Sequence, residues 1–224
     1  MAEDLEALDA DEGLEKRRHR HWFDRLMFLC DGVFAIAITF LAAELQAPAT
    51  WAGDWRGLWP HLAGELNVYA MSFLVISIYW LAHRRYMAMI LNVDAPVTVL
   101  TLIMLGLVAL IPAATRLISG YSDFPPARLV YGALVVGIGV SLAALWAYAA
   151  LIARSVPTEV NLRQRWFMLF LAVFTPPFFL FLAFLIPDAR PGEIPLFLAA
   201  LFLTGWPMRL WVLRRLRTRK PRAD

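Results

Sequence analysis

The sequence predicts an all-α membrane protein with six transmembrane helices. Three observations carry that expectation. Hydrophobic residues make up 60% of the 224 and charged residues 17%, against roughly 45–50% and 25% in a soluble domain, and the mean hydropathy is +0.60. The apolar residues come in long uncharged runs rather than in amphipathic stripes. The basic residues gather at alternate ends of those runs. So much apolar surface excludes a disordered chain, and a single cysteine, Cys30, excludes a disulfide scaffold.

The chain opens on a cytoplasmic tail, 1–24. It is first acidic (Glu3, Asp4, Glu6, Asp9, Asp11, Glu12, Glu15) and then basic (Lys16, Arg17, Arg18, Arg20). Such a block reads as a solvated tail, disordered or loosely helical. The membrane domain is 25–213. Its first uncharged run, 32–43, holds 12 residues between Asp31 and Glu44. That is about 18 Å of helix against about 30 Å of hydrocarbon, so it crosses only with Asp31, Glu44 or both inside the membrane. The runs 66–82, 95–115, 129–153 and 166–187 cross with modest tilt, as does 194–208 continued past Arg209 to 213. The closing tail, 214–224, carries Arg214, Arg215, Arg217, Arg219, Lys220 and Arg222. It reads as a topology and headgroup signal, not a nucleic-acid site, because no aromatic interleaving or binding motif accompanies it.

Orientation follows from the basic residues. With the N-terminus inside, the inner segments hold five, two, three and seven of them, 17 of the 21, and the outer ones hold Arg56, Arg116, Arg128 and Arg190. Both termini are therefore expected in the cytoplasm of a multi-pass protein, and the number of spans is expected to be even. A cleaved signal peptide ending at Ala47-Pro48-Ala49 is the competing reading of the first run. More than 25 preceding residues, many of them acidic, argue against it. Trp51, Trp55 and Trp59 recur every fourth residue and read as an interfacial anchor on one face of a short outer helix, with a ligand-binding platform as the alternative.

Ionisable residues in or beside the spans are Asp31, Glu44, His83 and Arg116. A charge in hydrocarbon needs a partner or a watery path. Glu44 and Arg116 read as snorkelling at the outer boundary. Asp31 is expected to pair with Arg25, His83 or both, either as a structural clamp or in conduction. No HExxH, CxxC, Gly-x-Ser-x-Gly or GxxxxGK[ST] motif occurs, so an enzyme is not expected. No metal site or cofactor is expected either, because one membrane histidine does not make a metal centre. Gly32, Ile36, Thr39, Phe40 and Ala43 share one face of the first helix, a pattern that helix packing alone also produces.

Residues 25–41, RLMFLCDGVFAIAITFL, resemble the signature first helix of the transmembrane protein 175 family of potassium channels through Arg25, Asp31, Gly32, Val33, Phe34, Ala35, Ile36 and Thr39. SFLVISIYWLAH, 72–83, resembles its second helix through Trp80 and His83, and VALIPAAT, 108–115, the end of its third. Leu29 and Cys30 replace the family's Phe and Ser, and Thr101 stands where an Asn is common. The family's inner polar network, here Arg25, Cys30, Asp31, Trp80, His83 and Thr101, is therefore thinner, since a thiol is a poor hydrogen-bond partner. The resemblance implies a homotetramer in a cell membrane whose central pore is lined by the first helix. Ile36 would form an apolar constriction and Thr39 a hydroxyl ring outside it, with Phe40 and Ala43 lining or backing the outer part. The partners implied are potassium ions, the lipid bilayer and further copies of the chain, with no nucleic acid. An apolar ring obstructs ions by dewetting, and without a carbonyl filter the potassium preference is expected to be modest. Two other readings stand beside the channel. One is a cation- or proton-coupled transporter using Asp31 and His83; the other is a non-conducting structural membrane protein.

Overall fold

The computed structural model describes residues 2–46, 53–121 and 124–185. All of its regular structure is helical. Helix α1 runs Ala2–Ala43 over 42 residues. No proline interrupts it, and the charged tail is built from good helix formers, Glu, Ala, Leu, Lys and Arg. The tail is therefore one piece with the first span, and no break in secondary structure falls at 24/25. Helix α2, Trp55–Met87, is N-capped by Asp54, whose side chain accepts from the Gly57 N–H. It begins well before the apolar run at 66. Trp55 and Trp59 thus lie in the first turns of α2 rather than on a separate helix, with rings stacked 6.1 Å apart; Trp51 lies outside the described residues.

The third span is two helices, α3, Ala95–Ala109, and α4, Ile111–Gly120, broken at Leu110. Pro112 is the cause: it has no N–H for the Val108 carbonyl, and its ring crowds that carbonyl. Helix α5, Pro125–Ala147, passes into a π-helical turn, Tyr148–Ile152. Helix α6 is Leu162–Leu185. Among the described residues, four segments are long and apolar enough to cross a membrane: 20–43, Trp55–Met87, Ala95–Gly120 and Pro125–Ile152. The chain is thus a multi-pass helical membrane protein. The expected sixth run, 194–213, lies outside the described residues.

Helix α5 is the hub and packs on α2, α3, α4 and α6, while α1 lies against α2, α3 and α4. Phe34, Ile76, Met104, Val108, Ile138 and Trp146 are fully buried between them. Polar ties fix the bundle. The Tyr79 hydroxyl donates to the Val135 carbonyl at 2.7 Å. Ser72 Oγ sits 3.1 Å from the Tyr131 hydroxyl and 2.8 Å from Thr115 Oγ1, so α2, α4 and α5 share one buried network. Hydroxyls in apolar spans join helices in this way. Thr115→Val keeps the shape and removes the donor. It is expected to cost about 1 kcal/mol, read as a thermal midpoint in detergent lowered by about 2–4 °C. Thr158→Val, in the exposed loop before α6, should leave the midpoint unchanged.

At the other end, the Tyr148 hydroxyl donates to Asp94 Oδ2 at 2.6 Å, and Asp94 Oδ1 caps α3 through the Val97 N–H. Arg165 donates to the carbonyls of Ala150 and Val160. These bonds take up carbonyls that the π-helical turn and the loop leave free.

Candidate functional site on the first helix

Helix α1 has two faces. Leu26, Cys30, Phe34, Ala37 and Leu41, spaced four, four, three and four, are buried against α2, α3 and α4. Gly32, Ile36, Thr39, Phe40 and Ala43 lie on the opposite side and are exposed, Ile36 at 56% and Phe40 at 58%. Among the described residues no neighbour within the chain covers this face. A Cβ added at Gly32 would meet nothing within 4 Å, so none of the described residues requires a glycine there. Thr39 Oγ1 lies 2.8 Å from the carbonyls of both Ala35 and Ile36. Its proton is directed into the helix backbone, so its outward character is that of an acceptor, which suits a cation.

The inner residues are arranged differently from the expected pairing. Asp31 Oδ1 accepts the Trp80 indole N–H at 2.7 Å. The Arg84 guanidinium stacks over the same indole, 4.9 Å from its centroid. Among the described residues no ion pair joins Asp31 to Arg25 or His83, and Arg25 is exposed. The reason is geometric. Successive helical residues are 100° apart, so with Cys30 fully buried Asp31 stands on the flank of α1, where Trp80 reaches it. His83 lies beneath the helix instead, fully buried, its ring 6.3 Å from that of Phe34. Among the described residues neither of its ring nitrogens has a hydrogen-bond partner, and the same holds for the buried Thr101 hydroxyl. The structure therefore bonds Asp31 to Trp80 and buries Cys30, His83 and Thr101 beside them without joining all six residues in one network.

At the C-terminal end of α1, Glu44 Oε2 and Arg116 Nη1 lie 3.4 Å apart. The two residues read as separate snorkelling charges are thus partners. Two ties flank the exposed face, Asp31–Trp80 to α2 and Glu44–Arg116 to α4. They explain how so short an uncharged run serves as a span: the charges at its ends are matched by neighbouring helices rather than by hydrocarbon. The residues that the sequence did not single out are Arg84 and the Ser72–Thr115–Tyr131 group. A hydroxyl within an apolar run, or a cation just past its end, was the available signal.

Comparison with known proteins bears on this arrangement. Residues 25–112 match the family model described as the endosomal/lysosomal potassium channel TMEM175. The chain is 34% identical over 129 residues to a potassium channel of Streptomyces collinus, covering 54% of this chain and 62% of that one. It is 31% identical over 136 residues to a potassium channel of Chamaesiphon minutus, covering 56% and 65%. It is also 26% identical over 144 residues to the human endosomal/lysosomal proton channel TMEM175, covering 63% of this chain and 27% of that one. The chain thus spans less than two thirds of the length of these relatives. Its fold matches the crystal structure of a lysosomal potassium-selective channel TMEM175 homolog from Chamaesiphon minutus, with a TM-score of 0.61 and 21% identity, over 84% of this chain and 98% of that one. The family resemblance read from the motifs is thereby shown over 25–112, and that family is one of ion channels, not enzymes.

Proposed function

We propose that this chain, which carries the TMEM175 pattern over residues 25–112, is one subunit of a potassium-permeable channel of the cell membrane. Four copies, each with six spans and both termini in the cytoplasm, enclose a pore lined by α1. Potassium ions pass passively, with a modest preference over sodium, and no cofactor takes part. Ile36 forms the apolar constriction, Thr39 a ring of acceptor oxygens outside it, and Phe40 and Ala43 the outer wall.

One observation carries the reading. Within the segment that matches a channel family, α1 presents Gly32, Ile36, Thr39, Phe40 and Ala43 on a face that none of the described residues covers. One such helix cannot enclose a pore, so closed symmetry is required. The names of the bacterial relatives, both potassium channels, support the choice of ion. A proton relay from Asp31 to His83 has less support, because the hydrogen bond of Asp31 goes to Trp80.

The test is potassium flux into liposomes holding the purified protein, with native mass spectrometry of the same preparation. Passive flux from a tetramer is expected; a monomer, or transport that needs a counter-ion, would overturn the reading. Cysteines placed at the exposed Tyr121 and Thr158 test orientation. Tyr121→Cys should react with an impermeant reagent outside the cell and Thr158→Cys only after permeabilisation. The reverse pattern would invert the topology.

A further inference from the structure

Glu44 is the first residue past α1, and its backbone N–H is accepted by the carbonyls of Phe40 and Leu41 at 3.2 and 3.3 Å. The last turn is therefore closed, and the direction in which the Glu44 side chain leaves it is set by the turn that carries Phe40 and Ala43. The side chain is only 24% exposed, and its Oε2 has no hydrogen-bond donor. Its counter-charge is Arg116 on α4 at 3.4 Å, with a side chain 64% exposed. The pair edges a cleft of about 360 Å³ between the end of α1, α2 and α4, which Glu65, Tyr69 and Ser119 also line.

A buried carboxylate oxygen that has no hydrogen-bond donor among the described residues depends on its ionic partner. A mostly exposed arginine at the edge of a cleft is a partner that can leave. The tie is thus selective in what it holds. It joins the outer end of α1 to α4, beyond the Leu110 break, while Asp31–Trp80 holds the inner end to α2. Thr39 and Ala43 lie on the outer arm, between the two.

We propose that Glu44 and Arg116 are positioning residues: their ion pair fixes the outer end of α1, and with it the spacing of the Thr39 and Ala43 rings that sets ion preference. The proposal rests on the channel reading above. Loss of the pair changes selectivity more than conduction, because the Ile36 level lies closer to the inner tie.

The experiment compares Glu44→Gln, Arg116→Gln, Arg116→Lys and the exchanged pair Glu44→Arg/Arg116→Glu. Two quantities are read on each: the potassium-to-sodium flux ratio in liposomes, and the rate at which a charged thiol reagent modifies Ala43→Cys. Cys30 is buried and leaves the reagent one target. The Gln variants are expected to shift both quantities about two- to fivefold, the range that a partly exposed ion pair supports. Arg116→Lys should keep wild-type values, and the exchanged pair should restore them if it assembles. Gln variants with unchanged ratio and rate would overturn the proposal. So would shifts that Arg116→Lys shares, since charge would then not be the cause. A wild-type protein that passes no cation would defeat the channel reading alone, and the Ala43→Cys rate, which needs no current, would still decide the clamp.

Discussion

Ile36→Asn is expected to raise basal potassium flux about tenfold or more in liposomes. Ile36 and Thr39 stand one turn apart on the uncovered face of α1, where Ile36 is 56% exposed. In the proposed tetramer, four isoleucines around a closed axis leave a throat whose walls offer water no hydrogen bond, and such a throat excludes ions by dewetting. An amide in each subunit restores hydrogen bonding and keeps the throat wet. Each 1.4 kcal/mol removed from the barrier is about tenfold in flux. The same preparation should retain its thermal midpoint, because none of the described residues packs on this face. If Ile36 instead packs against another helix, the buried Asn costs about 1–3 kcal/mol, and the midpoint falls while flux stays low. Thr39→Val, which removes the acceptor oxygen, should lower potassium preference without opening the pore.

The second large effect belongs to Asp31. Asp31→Ala strips the Trp80 indole of its acceptor, and Trp80→Phe strips the carboxylate of its donor. Hydrogen bonds to a charged group contribute about 1.5–3 kcal/mol, and the lower figure applies to this exposed carboxylate. Either variant should therefore lower the thermal midpoint by about 3–6 °C and reduce the yield of tetramer. Asp31→Asn keeps the acceptor and should lose less. Glu159→Ala, exposed in the loop before α6, is the reference; Asp54→Ala is not, because Asp54 caps α2. Asp31→Ala and Glu159→Ala behaving alike would mean that the Trp80 bond holds nothing.

The four spans found among the described residues were legible because hydrocarbon imposes a length and water imposes charged ends, and both are written along one dimension. The uncovered face of α1 was legible for a similar reason: Ile36, Thr39, Phe40 and Ala43 follow helical spacing whatever surrounds them. Partners were not. Trp80 and His83 are three residues apart and share a face of α2, so spacing cannot say which of them reaches Asp31. A modest rotation of α2 against α1 decides it, and that rotation is set by packing around Phe34 and Ile76. Glu44 and Arg116 are likewise brought together only by the way α4 resumes after Leu110. The start of α2 at Trp55 escaped the reading because polar residues there continue a helix that hydropathy alone ends at 66.

The continuity of α1 has a mechanical consequence. From the Asp31–Trp80 tie, about 44 Å of helix extends back to Ala2 and about 18 Å forward to Ala43, at 1.5 Å per residue. A stiff rod held there and again at Glu44–Arg116 has a braced short arm and a free long one. A sideways load on the charged arm is therefore borne at the Asp31–Trp80 tie, and the Ile36 and Thr39 levels beyond it keep their place.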